Sequence, residues 1–217
     1  MAASKIFLVG AGLPSLDDVL KVAHGLEVAL DGAAAERVKK ESPPPKSFEA
    51  EVPRYAPAEV PLHTRNCLDT AQARAAILVK LVSLIGGKSK ARLAVLQALT
   101  DLLNKGITPC LPLGDVDQPL LAALADALQG GGAAALAGSG ALLPLAQALQ
   151  EAGLEAPGLS AAERAAVEDG QCASGGTAAI CVQAGRALLA AAGAVAALSA
   201  EALQADVSRG GPSLLLL

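Results

Sequence analysis

The clearest hydrophobic pattern in the sequence runs from residue 74 to residue 113. Apolar residues recur at helical spacing over 75–85, which predicts a helix with one buried face. Gly86-Gly87 follows and is expected to end this helix. A second apolar series over 93–103 predicts another helix, with Ser89 as its N-cap. The stretch therefore predicts two consecutive helices joined by a short connection.

The chain is expected to leave the second helix in an extended conformation. Gly106 suits the left-handed conformation that often follows a helix. Residues 107–113 contain Pro109 and Pro112, which disfavour a further helix there. We therefore predict an extended segment that begins directly after Gly106.

The C-terminal part of the chain is rich in alanine and leucine. This composition predicts a long helix over 177–205, in which Gly185 and Gly193 allow close packing. Its most apolar part, 187–198, is shorter than the roughly 20 residues that a membrane-spanning helix needs. We therefore expect a buried helix and no membrane span.

The N-terminus alternates between short strands and helices. Residues 5–9 read as a strand, Ser15 caps a helix that ends at Ala23, and residues 26–30 read as a second strand. We expect Asp31 to begin another turn.

The same layout permits a nucleotide-binding hypothesis. Strand, Gly10-x-Gly12, helix, strand and Asp31 follow the order of a dinucleotide-binding unit. The third glycine position is Ser15, however, and Pro14 lies in the turn. A structural turn is the competing interpretation of Gly10, Gly12 and Asp31.

Proline-rich sequence divides the chain. Residues 42–62 hold a series of prolines that excludes a regular helix and predicts a linker or surface loop. We therefore predict an N-terminal strand and helix segment over 1–41, a helical domain over 63–206 and a disordered tail over 207–217.

Composition narrows the class of protein. Of 217 residues, 53% are hydrophobic but only 1% are aromatic, which favours a mainly α fold of closely packed helices. The four cysteines have no metal-ligand spacing, so we expect no metal, reduced thiols and a cytoplasmic location. A net charge of −4 with almost no aromatic residues argues against nucleic acid as a partner.

Several segments resemble the aromatic amino-acid ammonia-lyases, the family of phenylalanine, tyrosine and histidine ammonia-lyases. The resemblance lies in Arg74-Ala75-Ala76, the helix end Leu102-Leu103-Asn104 and the segment Ile107-Thr108-Pro109-Cys110-Leu111-Pro112-Leu113. Residues 198–203, Leu-Ser-Ala-Glu-Ala-Leu, add a weaker match. The resemblance implies the N-terminal part of the mainly α lyase fold, with a few short strands near the N-terminus.

The resemblance also implies chemistry that this sequence does not carry. The family forms a 4-methylidene-imidazole-5-one (MIO) electrophile from an internal Ala-Ser-Gly that follows a segment like 109–113. Here that place holds Gly114-Asp115-Val116-Asp117-Gln118, without Ala-Ser. The family's catalytic tyrosine stands in a glycine-rich loop, whereas Tyr55 stands in Pro-Arg-Tyr-Ala-Pro. Tyr55 is therefore only a weak catalytic candidate.

One Ala-Ser-Gly does occur, at Ala173-Ser174-Gly175. Its surroundings resemble a different family segment, Lys-Glu-Gly-x-x-x-x-Asn-Gly-Thr, in which Gly175 replaces an asparagine that faces the cofactor. We therefore do not expect an MIO group at Ala173, Ser174 and Gly175.

These observations predict a non-catalytic, lyase-like structural or interaction protein. Its apolar helical surface should need burial by self-association or within a larger assembly. Two alternatives stay open: an active aromatic amino-acid ammonia-lyase, or a fragment of one, and a nucleotide-binding module at residues 10–31.

Overall fold

The computed structural model describes residues 6–42, 65–67, 69–87, 91–112, 117–131, 133–136, 142–144 and 149–203. The helices are α1 (Leu16–Ala23), α2 (Gly32–Glu41), α3 (Thr70–Gly86), α4 (Leu93–Lys105), α5 (Asp117–Ala127), α6 (Ala161–Glu168) and α7 (Cys172–Ala202). The strands are β1 (Phe7–Val9), β2 (Val28–Leu30), β3 (Arg65–Cys67), β4 (Ile107–Pro112), β5 (Ala133–Leu136) and β6 (Leu142–Pro144). The mainly α fold class is confirmed. Residues 43–62 of the predicted linker and the 207–217 tail lie outside the described residues.

The N-terminal elements form as local sequence signals predict. Strands β1 and β2 pair in parallel, with Phe7 opposite Val28, and α1 connects them. Ser15 caps α1 by accepting a hydrogen bond from the backbone N–H of Asp18, whose carboxylate bonds back to Ser15. This reciprocal capping box fixes the start of the helix.

A second sheet was not predicted from the sequence. Strands β3, β4, β5 and β6 lie in that order and pair antiparallel. Strand β4 is the extended segment expected after Gly106, which adopts a φ of 65°. Strand β5 has the sequence Ala-Ala-Ala-Leu, whose intrinsic preference is helical, so its strand conformation depends on pairing with β4 and β6. The register also places Cys67 opposite Cys110, although they are distant in sequence.

Helix α3 is the centre of the described core. It packs against α1, α4 and α7, and its buried side chains include Ile77, Leu78 and Leu81. Its crossing with α7 is tight at Gly176, where an added Cβ would lie 2.7 Å from the backbone nitrogen of Ala76. No side chain fits there, so glycine allows the two helix backbones to touch.

Arg74 holds three chain segments to α3. Its guanidinium is buried and donates hydrogen bonds to the carbonyls of Val22, Leu26 and Leu103. Val22 and Leu103 belong to the last turns of α1 and α4, where carbonyls carry partial negative charge, and each of the two also accepts a backbone N–H, from Gly25 and Gly106. Burial lowers the pKa of Arg74. An arginine remains charged in proteins, so we assign it the role of a cationic cap for two helix ends.

Lys80 of α3 also binds backbone carbonyls of another segment. Its Nζ is buried and donates to the carbonyls of Ala166, 2.7 Å away, and Asp169, at the end of α6. Burial lowers the pKa of Lys80, and the nearby Cys172 and Asp169 partly oppose that change. This bonding joins α3 to the α6–α7 connection.

Helix α7 differs from the buried helix that the sequence predicted. Only Cys172, Ala173 and Gly176 of its 31 residues are buried, all in its first turns. Farther along, Leu188 is 71% exposed and Leu198 is 65% exposed. A helix within 161–202 is long and apolar enough to cross a membrane by length and composition alone. The described part of the chain leaves most of this apolar helix uncovered.

Replacing Arg74 with methionine should destabilise the fold strongly. The variant Arg74→Met removes the side-chain donors for three carbonyls, of which those of Val22 and Leu103 keep only one backbone N–H each. We expect the free energy of unfolding in urea to fall by roughly 3–5 kcal/mol. Arg186→Met on the exposed face of α7 is the matched control and should change it by less than about 0.5 kcal/mol. Equal losses in both variants would contradict the role given to Arg74.

Candidate functional site

The Gly10-to-Asp31 turn has a structural use in this fold. Gly10 has a φ of 102°, and an added Cβ would lie 2.5 Å from the Cβ of Ala34. It therefore allows the end of β1 to meet α2. Asp31 caps α2 by accepting a hydrogen bond from the N–H of Ala34 at 3.1 Å. Around Gly12 there is open space, since an added Cβ would meet no atom within 4 Å.

The N-terminus of α1 is the place where a dinucleotide's phosphates would bind in the nucleotide hypothesis. It carries Asp17 and Asp18 in its first turn. The hydrogen bonds from Ser15, with a smaller contribution from the charge of Lys21, lower the pKa of Asp18, so this carboxylate is ionised at neutral pH. The carboxylate of Asp18 repels phosphate, whereas Asp17 is paired with Lys21 at 2.5 Å, and the N–H of Asp18 already bonds to Ser15. The geometry therefore favours the structural interpretation of this turn.

The Ala173-Ser174-Gly175 segment lies in the first turn of α7. Forming an imidazolone ring from Ala-Ser-Gly requires the glycine nitrogen to bond to the alanine carbonyl carbon. The N–H of Gly175 instead donates a helical hydrogen bond to the carbonyl of Gln171 at 3.0 Å. Ala173 is buried, and Gly176 is packed on Ala76. Cyclisation would therefore require this turn to unwind from α3.

The family resemblance places the cofactor loop between β4 and α5. Strand β4 ends at Pro112 and α5 begins at Asp117, so residues 113–116 make the connection. Those residues, Leu-Gly-Asp-Val, lie outside the described residues and contain no Ala-Ser-Gly. Tyr55, the weak catalytic candidate, also lies outside the described residues.

A buried carboxylate that the sequence did not single out organises the start of α4. Glu163 is buried and accepts hydrogen bonds from the backbone N–H of Arg92 at 3.1 Å and from its Nε at 2.6 Å. Ser160 donates to the same carboxylate. Burial raises the pKa of Glu163, but the bonds from Arg92 and Ser160 together outweigh it and lower the pKa. The predicted Ser89 cap is wrong, because Arg92 occupies the N-cap position of α4.

A second buried ion-pair cluster joins α5 to α6. Arg164 donates to Asp126 at 2.7 Å, to Glu168 at 2.8 Å and to the side chain of Gln129. Burial alone would lower the pKa of Arg164, but the hydrogen bond and charge of Asp126, with Glu168, raise it. The cluster holds helices together and has the composition of a structural ion-pair network. Sequence reasoning missed these groups because their partners are distant in sequence.

Among the residues that the structure describes, three clefts lie around α4, with volumes of about 250, 490 and 510 Å³. The first and third share Gln97 and Asp101, and burial raises the pKa of Asp101. The second lies beside Arg74. None of the three is lined by Ala173, Ser174 or Gly175. Within the described ranges, no three His, Cys, Asp or Glu side chains could together hold a metal ion.

Known structures with a similar fold are ammonia-lyases and related enzymes. Histidine ammonia-lyase from Trypanosoma cruzi matches 97% of this chain and 46% of its own, with a TM-score of 0.79 and 18% identity. Phenylalanine ammonia-lyase from Rhodosporidium toruloides matches 81% of this chain and 31% of its own, with a TM-score of 0.67 and 24% identity. The fold is therefore that of an ammonia-lyase.

Sequence comparison assigns the family. The family model described as aromatic amino acid lyase matches residues 59–214, and the chain belongs to this family. A probable histidine ammonia-lyase from Halobacterium salinarum is 34% identical over 152 residues, which is 68% of this chain and 29% of that protein. Histidine ammonia-lyase from Salmonella arizonae is 40% identical over 112 residues, 49% of this chain and 22% of that protein. The chain thus spans less than a third of the length of these relatives, and the resemblance seen in its motifs is confirmed.

The buried Glu163 gives the fold a pH-dependent component. Because its pKa is lowered in the folded state, it contributes stability above the usual value of 4.5 and loses it as pH falls through the folded pKa. Glu163→Gln turns an acceptor into an N–H donor against Arg92 and should reduce the free energy of unfolding by about 1–3 kcal/mol at pH 7. We expect the difference in free energy of unfolding between the variant and the unaltered chain to shrink as pH falls below 4.5.

The control is Glu36→Gln, because Glu36 is 69% exposed and its side chain lies 3.9 Å from Lys39. It should change the free energy of unfolding by less than about 0.5 kcal/mol at either pH. A Glu163→Gln deficit that is constant between pH 7 and pH 3.5 would show that lost packing, and not the carboxylate charge, is responsible.

Proposed function

We propose that this chain is a non-catalytic member of the aromatic amino acid lyase family that acts as a structural or interaction protein. The observation that carries the proposal is the chain's single Ala-Ser-Gly, whose Gly175 nitrogen donates to the carbonyl of Gln171 within α7. At the connection after β4, where the family resemblance expects the electrophile, the sequence is Leu113-Gly114-Asp115-Val116. The helical hydrogen bond of Gly175 and the absence of Ala-Ser before Gly114 both support the proposal.

The elimination of ammonia explains why the MIO electrophile is needed for activity. Elimination of ammonia from an amino acid needs an electrophile that turns the amino group into a competent leaving group. Such a group contributes to the rate only if it is formed and held at the reacting atoms. Of the remaining family features, Tyr55 lacks the glycine-rich loop and Gly175 replaces the asparagine. The loss of all three features supports a role without elimination chemistry.

The proposed interaction surface is helix α7. Its apolar side chains beyond the first turns are exposed, and such surfaces on proteins mark places of association. We propose that this surface is buried by self-association or within a larger cytoplasmic assembly, and not by nucleic acid or a membrane.

An active aromatic amino-acid ammonia-lyase, or a fragment that works with another chain, is the second candidate. Family membership and relatives named histidine ammonia-lyase favour it. In this candidate, histidine or phenylalanine would be the substrate, and the rest of the active site would come from further polypeptide.

Intact-mass spectrometry, absorbance and activity together test whether this chain itself forms the cofactor and catalyses elimination. We expect the purified chain to have the mass of its unmodified sequence, no cofactor absorbance and no production of urocanate or cinnamate. A mass deficit of two water molecules that disappears in Ser174→Ala would overturn the proposal and locate the ring at residues 173–175. Histidine ammonia-lyase from Salmonella arizonae, assayed in parallel, serves as the positive control.

A further inference from the structure

Two cysteines occupy opposing positions in the second sheet. Strand β3 pairs antiparallel with β4, and the register sets Cys67 directly opposite Cys110. Helices α3 and α4 lie between these cysteines along the chain, so the pair forms only through the fold. Residues directly opposite each other in an antiparallel pair share one face of the sheet. The topology thus brings two cysteines to the same level and the same face.

A proline determines which kind of pair Cys67 and Cys110 form. Pairs along an antiparallel ladder alternate between those that exchange two backbone hydrogen bonds and those that exchange none. Arg65 pairs with Pro112, which has no backbone N–H, so this pair cannot exchange two bonds. The next pair along the ladder is then the hydrogen-bonded one. The pair of Cys67 and Cys110, which follows it, is therefore non-hydrogen-bonded.

The pairing of β4 with β5 leads to the same assignment. Pro109 pairs with Ala134 and also lacks an N–H, so this pair is non-hydrogen-bonded. In a strand with a neighbour on each side, successive residues direct their backbone N–H and C=O groups to alternate neighbours. The backbone groups of Cys110, the residue after Pro109, are therefore directed to β5 and away from β3. Two prolines in different ladders thus agree on the type of the cysteine pair.

The type of pair sets the separation of the two cysteine backbones. Non-hydrogen-bonded pairs have Cα atoms about 4.5 Å apart, closer than hydrogen-bonded pairs. A disulfide joins cysteines whose Cα atoms are about 4.4–6.8 Å apart. The pairing of Cys67 with Cys110 therefore supplies the separation that a disulfide requires without any change of register.

A metal site is the competing use of two opposing cysteines. Zinc in proteins takes three or four ligands, supplied by cysteine, histidine or acidic side chains. Within the described strands, the next positions on the same face are Arg65 of β3 and Thr108 and Pro112 of β4. None of these residue types is a usual zinc ligand. Two cysteines without further ligands favour a disulfide.

We propose that Cys67 and Cys110 form a reversible cross-strand disulfide, with a low-molecular-weight disulfide such as oxidised glutathione as the oxidant. One cysteine thiolate attacks a sulfur of oxidised glutathione and releases a glutathione thiolate. The other cysteine thiolate attacks the protein sulfur of this mixed disulfide and releases the second glutathione. Two protein thiols are oxidised, the glutathione disulfide is reduced to two thiols, and the cysteine protons pass to them. Excess glutathione reverses the exchange.

Peptide mapping after thiol exchange tests the bond. Trypsin places Cys67 in peptide 66–74, Cys110 in peptide 106–164 and the other two cysteines together in peptide 165–186. The folded chain is equilibrated with oxidised and reduced glutathione, and its free thiols are then alkylated. We expect peptide 66–74 joined to peptide 106–164 within one chain, two hydrogens lighter than their sum. Links to peptide 165–186 in place of this one, or a bond between two chains, would overturn the proposal.

Moving one thiol by a single residue tests the register. The double variant Cys67→Ser with Asn66→Cys keeps a cysteine in the same tryptic peptide but places it on the other face of β3, opposite Leu111. Its link to peptide 106–164 should be at least about tenfold less abundant at the same glutathione ratio. Cys181→Ser, which removes an exposed thiol of α7, should leave the link unchanged. Equal crosslinking in the double variant and the unaltered chain would contradict the assigned register.

Urea unfolding tests whether the bond belongs to the native fold. It would close a covalent loop around α3 and α4, and such loops stabilise a protein by restricting its unfolded chain. The oxidised chain should therefore unfold at a urea concentration at least about 1 M higher than the reduced chain. This difference should be absent from Cys67→Ser. An oxidised chain that unfolds at the same or a lower urea concentration would show that the bond does not fit the native register.

This redox-sensitive link goes beyond the proposed interaction function and does not depend on it. Disulfide formation removes two hydrogens from the chain, whereas ring formation from Ala173-Ser174-Gly175 would remove two water molecules. Mass spectrometry therefore separates the two events, and failure of one proposal leaves the test of the other unaffected.

Discussion

The fold depends on cations buried within α3 that bind the carboxyl ends of other helices. Arg74 bonds to carbonyls of α1 and α4, and Lys80 bonds to carbonyls at the end of α6. Burying a charge is costly unless its donors are satisfied, and helix ends supply carbonyl acceptors that carry partial negative charge. The same hydrogen bonds therefore satisfy the donors of each buried cation and fix the helix ends that it contacts. It also explains how an aromatic-poor core of Ala, Leu and Val obtains a defined helix arrangement, since non-directional apolar contacts alone tolerate several packings.

The buried carboxylates of α5 and α6 bind positively charged groups and a helix N-terminus. Glu163 accepts the N–H of Arg92 at the start of α4, and Asp126 pairs with Arg164 between α5 and α6. Each acid lies 38 or more residues from its partner, so these contacts link segments that adjacent-residue interactions cannot order. Buried ion pairs contribute little net stability over apolar replacements, but removing one member leaves an uncompensated charge. Their effect here is to specify which helices meet.

Much of the local structure could be predicted because its causes are local. Ser15 with Asp18 marks a helix start, and Gly106 marks a helix end, through interactions within three or four residues. The sheet with β5 could not be predicted, because Ala-Ala-Ala-Leu becomes a strand only through its neighbours. The sequence predicted that Gly185 allows close helix packing, yet an added Cβ at Gly185 would meet nothing within 4 Å. Which glycine lies at a crossing depends on the path of another helix.

The sequence also predicted only part of the candidate site, because the rest depends on contacts between distant residues. That residues 113–116 lack Ala-Ser-Gly is visible in the sequence, whereas the conformation of residues 173–175 is not. Gly176 is held against Ala76 at the α3–α7 crossing, so the preceding turn keeps its helical hydrogen bond to Gln171. The same close contact thus holds α3 against α7 and keeps this Ala-Ser-Gly within a helical turn. Fold and chemistry rest on different residues here, and membership of the lyase family therefore does not by itself carry the lyase reaction.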